Sequence, residues 1–125
     1  MRVLVSFVLL VLVAVSAAPA DLYDPKYDNF DVDSVLANTR LMKGYAKCFL
    51  NMGSCTPDGA TFKKLLPEAL ETGCEKCSMK QRQLIRKVIR AVQDQLPEEF
   101  TELRQIYDPE NKYVEGVTKF LQEEQ

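Results

Sequence analysis

The chain has 125 residues, 16 basic against 18 acidic side chains, a formal net charge of −2 and no histidine. A balance this close to neutral gives no electrostatic footing for nucleic acid. Without an imidazole neither a Ser-His-Asp nor a Cys-His arrangement can be assembled, and the commonest metal ligand is missing too, so no catalysis, metal or cofactor is expected.

Met1 and Arg2 form a short positive start, Val3 to Val15 is apolar apart from Ser6, and "VSAAPA" follows with small residues. The pattern predicts a secretory signal peptide over residues 1–20, cut after Ala20, with an apolar run too short for a membrane span. No second run of spanning length follows. Residues 21–125 are therefore expected as one secreted, extracellular, monomeric domain with no stable membrane insertion. No Asn-x-Ser/Thr sequon occurs, so no N-glycan is implied.

"DLYDPKYDNF" (residues 21–30) reads as an extended or irregular arm. Tyr27 and Phe30 are large aromatics in this polar stretch, and left free they would expose apolar surface to water. The arm is expected to fold back, with Tyr27 across a cavity mouth, Phe30 against the helices, and Asp28 and Asp31 in water. Asp31 or Asp33 can then cap a helix that buries Val32, Val35 and Leu36. "LMKGYAKCFLNM" predicts a second helix, with Leu41, Tyr45 and Phe49 at i, i+4 and i+8 and Gly44 weakening it.

Thr56 as N-cap and Pro57 at the first helical position open a third helix, which Gly73 ends. Phe62, Leu65, Leu66, Ala69 and Leu70 share a stripe, and Pro67 should kink or split it. Ser78 caps the strongest helix, where Leu84, Ile85, Val88, Ile89, Val92 and Leu96 recur at helical spacing. Lys80, Arg82, Arg86, Lys87 and Arg90 crowd its other face, a pattern that is most often simply solvated; an anionic lipid is the alternative partner. "PEEFTELRQIY" makes a fifth helix with acids in its first turn. "DPENKYVEGVTKFLQ" predicts a sixth, with Asp108 as cap and Pro109 at the first helical position.

The four cysteines are spaced C-x6-C-x18-C-x2-C. Six intervening residues make a poor zinc knuckle, and a redox C-x-x-C usually sits beside a strand, of which the sequence shows no sign. An even count in a small secreted domain points to disulfides, and four cysteines permit three pairings. Local closure, Cys48 with Cys55 and Cys74 with Cys77, would pin two corners between helices; the spacing does not exclude the crossed pairings.

"YDPKYDNFDVDSVL", the cysteine spacing, "LPEAL" with "GCEKCSMKQ", and "PEEFTELRQIYDPENKY" together resemble the insect chemosensory proteins, the OS-D-like family, over nearly all of residues 21–115. The resemblance implies an all-α fold of six helices around a hydrophobic channel, disulfides between sequential cysteines, and binding of small apolar ligands such as semiochemicals and fatty-acid-like molecules. Many members carry Trp where this chain has Phe100, which bears on pocket shape there.

An apolar stripe on a helix is most often core. Six short amphipathic helices can nonetheless leave an apolar site between them. The residues expected to line it are Tyr27, Val35, Leu41, Tyr45, Leu66, Leu70, Ile85, Val88, Ile89, Val92, Phe100, Leu103 and Tyr107, the tyrosines and Tyr113 suiting its mouth. Met52 and Met79 can adapt to ligand shape or fill gaps. Arg40 or Lys47 is a candidate to meet a ligand carboxylate. The expected function is an extracellular carrier of small hydrophobic molecules. The competing readings are a secreted helical signalling, developmental or defence protein whose stripes form solid core, a thiol-disulfide redox protein acting through Cys74 and Cys77, and a membrane-active saposin-like protein, for which the cysteine framework is wrong.

Overall fold

The structure, a computed structural model, describes residues 22–123, and the expected signal peptide lies outside them. The arm winds into one 3-10 turn, Pro25–Asn29, capped by the Asp24 carboxylate. Six α-helices follow: α1 Val32–Leu36, α2 Thr39–Phe49, α3 Pro57–Thr72, α4 Met79–Gln95, α5 Pro97–Tyr107 and α6 Val114–Gln122. Among the described residues there is no strand.

Side-chain caps set most of the helix starts. Asp31 caps α1 and Asn38 caps α2, while Thr56 accepts from Gly59 N at the head of α3. Ser78 and Gln81 form a reciprocal capping box on α4, satisfying two donors that would otherwise be orphaned. At the end of α3, Gly73 has φ +65° and Cys74 φ +64°. The Cys74 N–H donates to Ala69 O and that of Gly73 to Leu70 O, so the chain turns sharply while the last carbonyls stay paired.

Pro67 does not split α3, which runs through it. Pro67 lies on the exposed side, so water can satisfy the carbonyl its missing N–H leaves free. Asp108 does not cap a helix beginning at Pro109. It is buried, and its carboxylate accepts from Lys112 N at 2.6 Å and Tyr113 N at 3.0 Å. With Asn111 at φ +58°, this holds residues 108–113 as a turn and delays α6 to Val114.

Close packing runs in the order α3–α2–α5–α4, and the corner between α3 and α4 links the last back to the first, so four helices follow one another around a ring. α1 lies against α2 and α4, and the arm's turn against α4. The buried core is divided. Met42, Ala46 and Leu96 form one cluster with Val35, Leu36, Ala91 and Val92 around it. Cys74, Cys77 and Phe120 form the other with Tyr23, Ala69, Ile85, Ile89 and Leu121. The clusters sit toward opposite ends of α4, a helix about 25 Å long at 1.5 Å per residue.

The disulfides join Cys48 to Cys55 and Cys74 to Cys77. The first ties the end of α2 to the cap of α3, the second the α3–α4 corner. A four-residue loop removes little entropy from the unfolded chain, so replacing Cys74 and Cys77 together by Ser should cost about 2 kcal/mol and lower Tm by about 10 °C. Helical circular dichroism should survive at 25 °C. Its complete loss in the double variant would show that the corner is needed for folding at all.

Candidate functional site

Large apolar side chains on the helices of the ring are left half-buried. On the 16-residue α3 only Gly59 is fully buried, and on α5 no residue is. Phe62, Leu65, Leu66 and Leu70 of α3, Phe100 and Leu103 of α5, and Tyr45 and Phe49 of α2 all remain half-buried. An amphipathic helix in a solid core ordinarily buries its stripe completely. Here α2 reaches α3 and α5, yet the stripes of α3 and α5 keep solvent-accessible surface.

Gly59 sets the approach of α2 to α3. A Cβ there would stand 3.2 Å from Thr56 Oγ1 and 3.3 Å from the Tyr45 ring, so a side chain would push the cap hydroxyl or the ring away by a few tenths of an ångström. Tyr45 then meets Phe30 edge-to-face at 6.3 Å between centroids. Phe62 meets both Tyr27 and Phe30 edge-to-face, each at 5.1 Å. These four rings close the α2–α3 side with the arm.

Polar ties hold the arm's other flank to α4. Ser78 Oγ donates to Asp28 Oδ1 at 2.8 Å, and Gln81 Nε2 donates to Asp24 O at 3.0 Å. Asp28 is therefore half-buried and paired, where the sequence reading left it in water. The arm thus bridges α3 and α4.

Upstream, Tyr23 N donates to Lys76 O, and its hydroxyl donates to Glu68 at 2.8 Å, with Lys76 on the other carboxylate oxygen at 3.3 Å. Burial, then the hydrogen bond to and the charge of Glu68, push the Tyr23 phenol up to about 12. The Tyr23 hydroxyl and Lys76 hold the Glu68 carboxyl below its usual range. Because the phenol's pKa is raised on folding, its contribution is complete below its ordinary value of 10.0 and is lost as pH rises through about 12.

The structure separates the expected lining residues. Tyr27 and Tyr45 belong to the aromatic closure. Val35 and Val92 pack on the Met42 cluster, Ile85 and Ile89 on the Cys74 cluster. Leu66, Leu70, Phe100 and Leu103 are half-buried around the ring. Tyr107 is half-buried, its hydroxyl donating to Phe49 O at 2.7 Å, and burial raises its pKa. Leu41 and Val88 lie outside both buried clusters. Leu41 is 46% and Val88 37% exposed, because helical phase turns them outward of Met42 and of Ile85 and Ile89. Arg40 and Lys47 are exposed as well, as are Met52 and Met79.

Sequence reasoning placed Phe62 on a stripe but missed it as the hub of the closure. The signal was the spacing of two arm aromatics, which need a ring to meet. It also read Arg86 as part of a solvated face, yet Arg86 is buried. Cys74 and Cys77 are bonded to one another and both buried, the opposite of the exposed thiol that disulfide exchange requires. Among the described residues no group of metal-ligating side chains gathers, and no helix is long and apolar enough to cross a membrane.

Residues 23–115 match a family described as the insect pheromone-binding family, A10/OS-D. The chain is 47% identical over 114 residues to ejaculatory bulb-specific protein 3 of Drosophila melanogaster, covering 91% of this chain and 89% of that one. It is 49% identical over 102 residues to allergen Tha p 1 of Thaumetopoea pityocampa, covering 82% and 81%. Its fold superposes, with a TM-score of 0.70 and 35% identity, on a chemosensory protein in complex with bromo-dodecanol, covering 79% of this chain and 96% of that one.

Proposed function

The chain belongs to the insect pheromone-binding family A10/OS-D, and we propose that it is a secreted, monomeric, non-catalytic carrier of small hydrophobic molecules. The observation that carries this reading is the pair of unsealed apolar faces on α3 and α5. Its ligands are long-chain alcohols and similar apolar molecules, the class represented by the bromo-dodecanol of the structural relative. They would lie within the ring against Leu66, Leu70, Phe100 and Leu103, with Ile85 and Ile89 along the α4 side.

Binding needs only desolvation. A ligand that buries roughly 300–400 Å² gains about 8–10 kcal/mol before association costs. Association costs of at least about 4 kcal/mol leave about 4–6 kcal/mol, a Kd no tighter than tens of micromolar, which suits cargo that must be released. Aromatic edges at one side and no charged group among the inner candidates favour neutral alkyl chains.

Displacement of a fluorescent apolar probe by a graded series of alkanols tests the reading. Affinity should rise with chain length until the ring is filled. Ile89→Trp should shorten the space and weaken dodecanol at least about tenfold, a loss of about 1.4 kcal/mol, while shorter alkanols lose less. Probe binding that ignores chain length in the wild type would refute an enclosed apolar site. Unaltered dodecanol affinity in the Trp variant would place Ile89 outside it.

A further inference from the structure

The net charge of −2 conceals a split. Residues 38–66 carry five basic side chains, Arg40, Lys43, Lys47, Lys63 and Lys64, against the single acid Asp58. Residues 94–123 carry eight acidic and three basic ones. The molecule is thus an electrical dipole, positive on α2 and the first half of α3 and negative toward α5 and α6. Around α4 the cations have partners, for Lys76, Arg82, Arg86 and Lys87 each reach a carboxylate. Among the described residues none of the five on α2 and α3 does.

Arg40, Lys43 and Lys47 stand at i, i+3 and i+7, an exposed row on the side of α2 away from the buried Met42 and Ala46. Like charges at this spacing destabilise a helix unless an anionic surface meets them. The row ends at the corner between α2 and α3, where Met52 N donates to Lys47 O at 2.8 Å and Lys63 Nζ donates to Asn51 Oδ1. A Cβ on Gly53 would stand 3.1 Å from that of Lys47, so the corner packs on the lysine stem. The Cys48–Cys55 disulfide closes the corner, and Asn51 turns through φ +62°. Held this way, Met52 is 65% exposed and adds to neither core cluster.

We propose that this face docks the protein peripherally on anionic phospholipid surfaces, with Arg40, Lys43, Lys47 and Lys63 against the head-group phosphates and Met52 entering the acyl boundary. Ammonium groups flanking an apolar tip match the layering of a bilayer, charge outside and hydrocarbon beneath, whereas an acidic protein offers the charge alone. The dipole sets the orientation, because the same surface repels the acidic side of α5 and α6. Docking goes beyond the carrier reading and stands independently of it. Together the two put apolar cargo where it can enter or leave lipid without crossing water.

Flotation with phosphatidylcholine vesicles, with and without phosphatidylserine, tests it. Partition into the anionic vesicles should exceed that into the neutral ones by at least about tenfold and collapse at high salt. Lys43→Gln with Lys47→Gln should weaken it about twenty- to thirtyfold, at about fivefold for each cation. Met52→Ser should weaken it about threefold and keep the salt dependence. The same charge removed from the acidic side, by Lys112→Gln with Lys119→Gln, should change it by less than about twofold. All five substituted side chains are exposed, so thermal melts should stay close to wild type. Equal losses in the two double variants would show that net charge alone governs binding, and would overturn the proposal. So would the absence of any preference for anionic vesicles, even where heparin retains the wild type and not the Lys43–Lys47 variant, a result that assigns the face to a soluble polyanion. Dodecanol binding that persists in either case leaves the carrier reading in place.

Discussion

Phe120→Ala is expected to cost about 3–5 kcal/mol of stability and to lower Tm by roughly 15–25 °C. The ring is 8% exposed and packs on the Cys74–Cys77 corner with Tyr23, Ala69, Ile85 and Ile89. Above it lie the guanidiniums of Arg86 at 4.6 Å and Arg82 at 5.8 Å. Truncation removes the transfer energy, leaves a cavity in a cluster with no other large aliphatic residue fully buried, and strips a cation–π partner from a buried charge. Phe120→Leu should recover the packing but not the cation–π contact, and so lose about half as much. Thermal melts of the two variants decide the matter; a loss under about 5 °C for Phe120→Ala would mean that α6 is held by its arginine contacts alone.

Tyr27→Ala should speed ligand release by up to about tenfold while lowering Tm by only a few degrees. The ring makes one edge contact with Phe62 and carries Lys26 at 5.1 Å on its face, and it is half-buried. Such contacts are each worth about 0.5–1.5 kcal/mol. Phe30 remains in contact with both Phe62 and Tyr45 in the variant, so the helices keep their aromatic seam. If the arm bridging α3 and α4 is a lid on the ligand, its removal lowers the exit barrier more than it lowers stability. If it only covers core, the melt drops sharply and release is unaltered. Stopped-flow release of a bound probe, run beside the melt, separates the two.

Helix identity was legible because the stripes are long and the starts are chemically explicit: Thr56 with Pro57 on α3, Ser78 on α4, and Pro97 with the acids after it on α5. Asp108 misled because a carboxylate before proline looks the same whether it caps a helix or, as here, gathers the N–H groups of Lys112 and Tyr113 into a turn. Periodicity put Leu41 and Val88 on apolar stripes but could not say where each stripe ends, since that depends on which neighbour covers its edge. Arg86 shows the same limit from the polar side. A basic row on an amphipathic helix reads as solvent-facing until a distant segment arrives with carbonyls and a carboxylate to bury it. Spacing alone left three pairings of the cysteines, and the one the family resemblance implied, Cys48 with Cys55 and Cys74 with Cys77, is the one the fold holds.

Tyr23 and Phe120 pack in the same cluster around the Cys74–Cys77 corner, although almost the whole described chain lies between them. Topologically the described stretch, residues 22–123, is therefore nearly a closed loop, fastened near its own midpoint. A short peptide joining the two ends would impose little strain, and the loop could be opened elsewhere to give a circular permutant. The exposed stretch Asn51–Ser54 is the natural place to open it, since Cys48 and Cys55 would keep the new ends tied to one another across the cut.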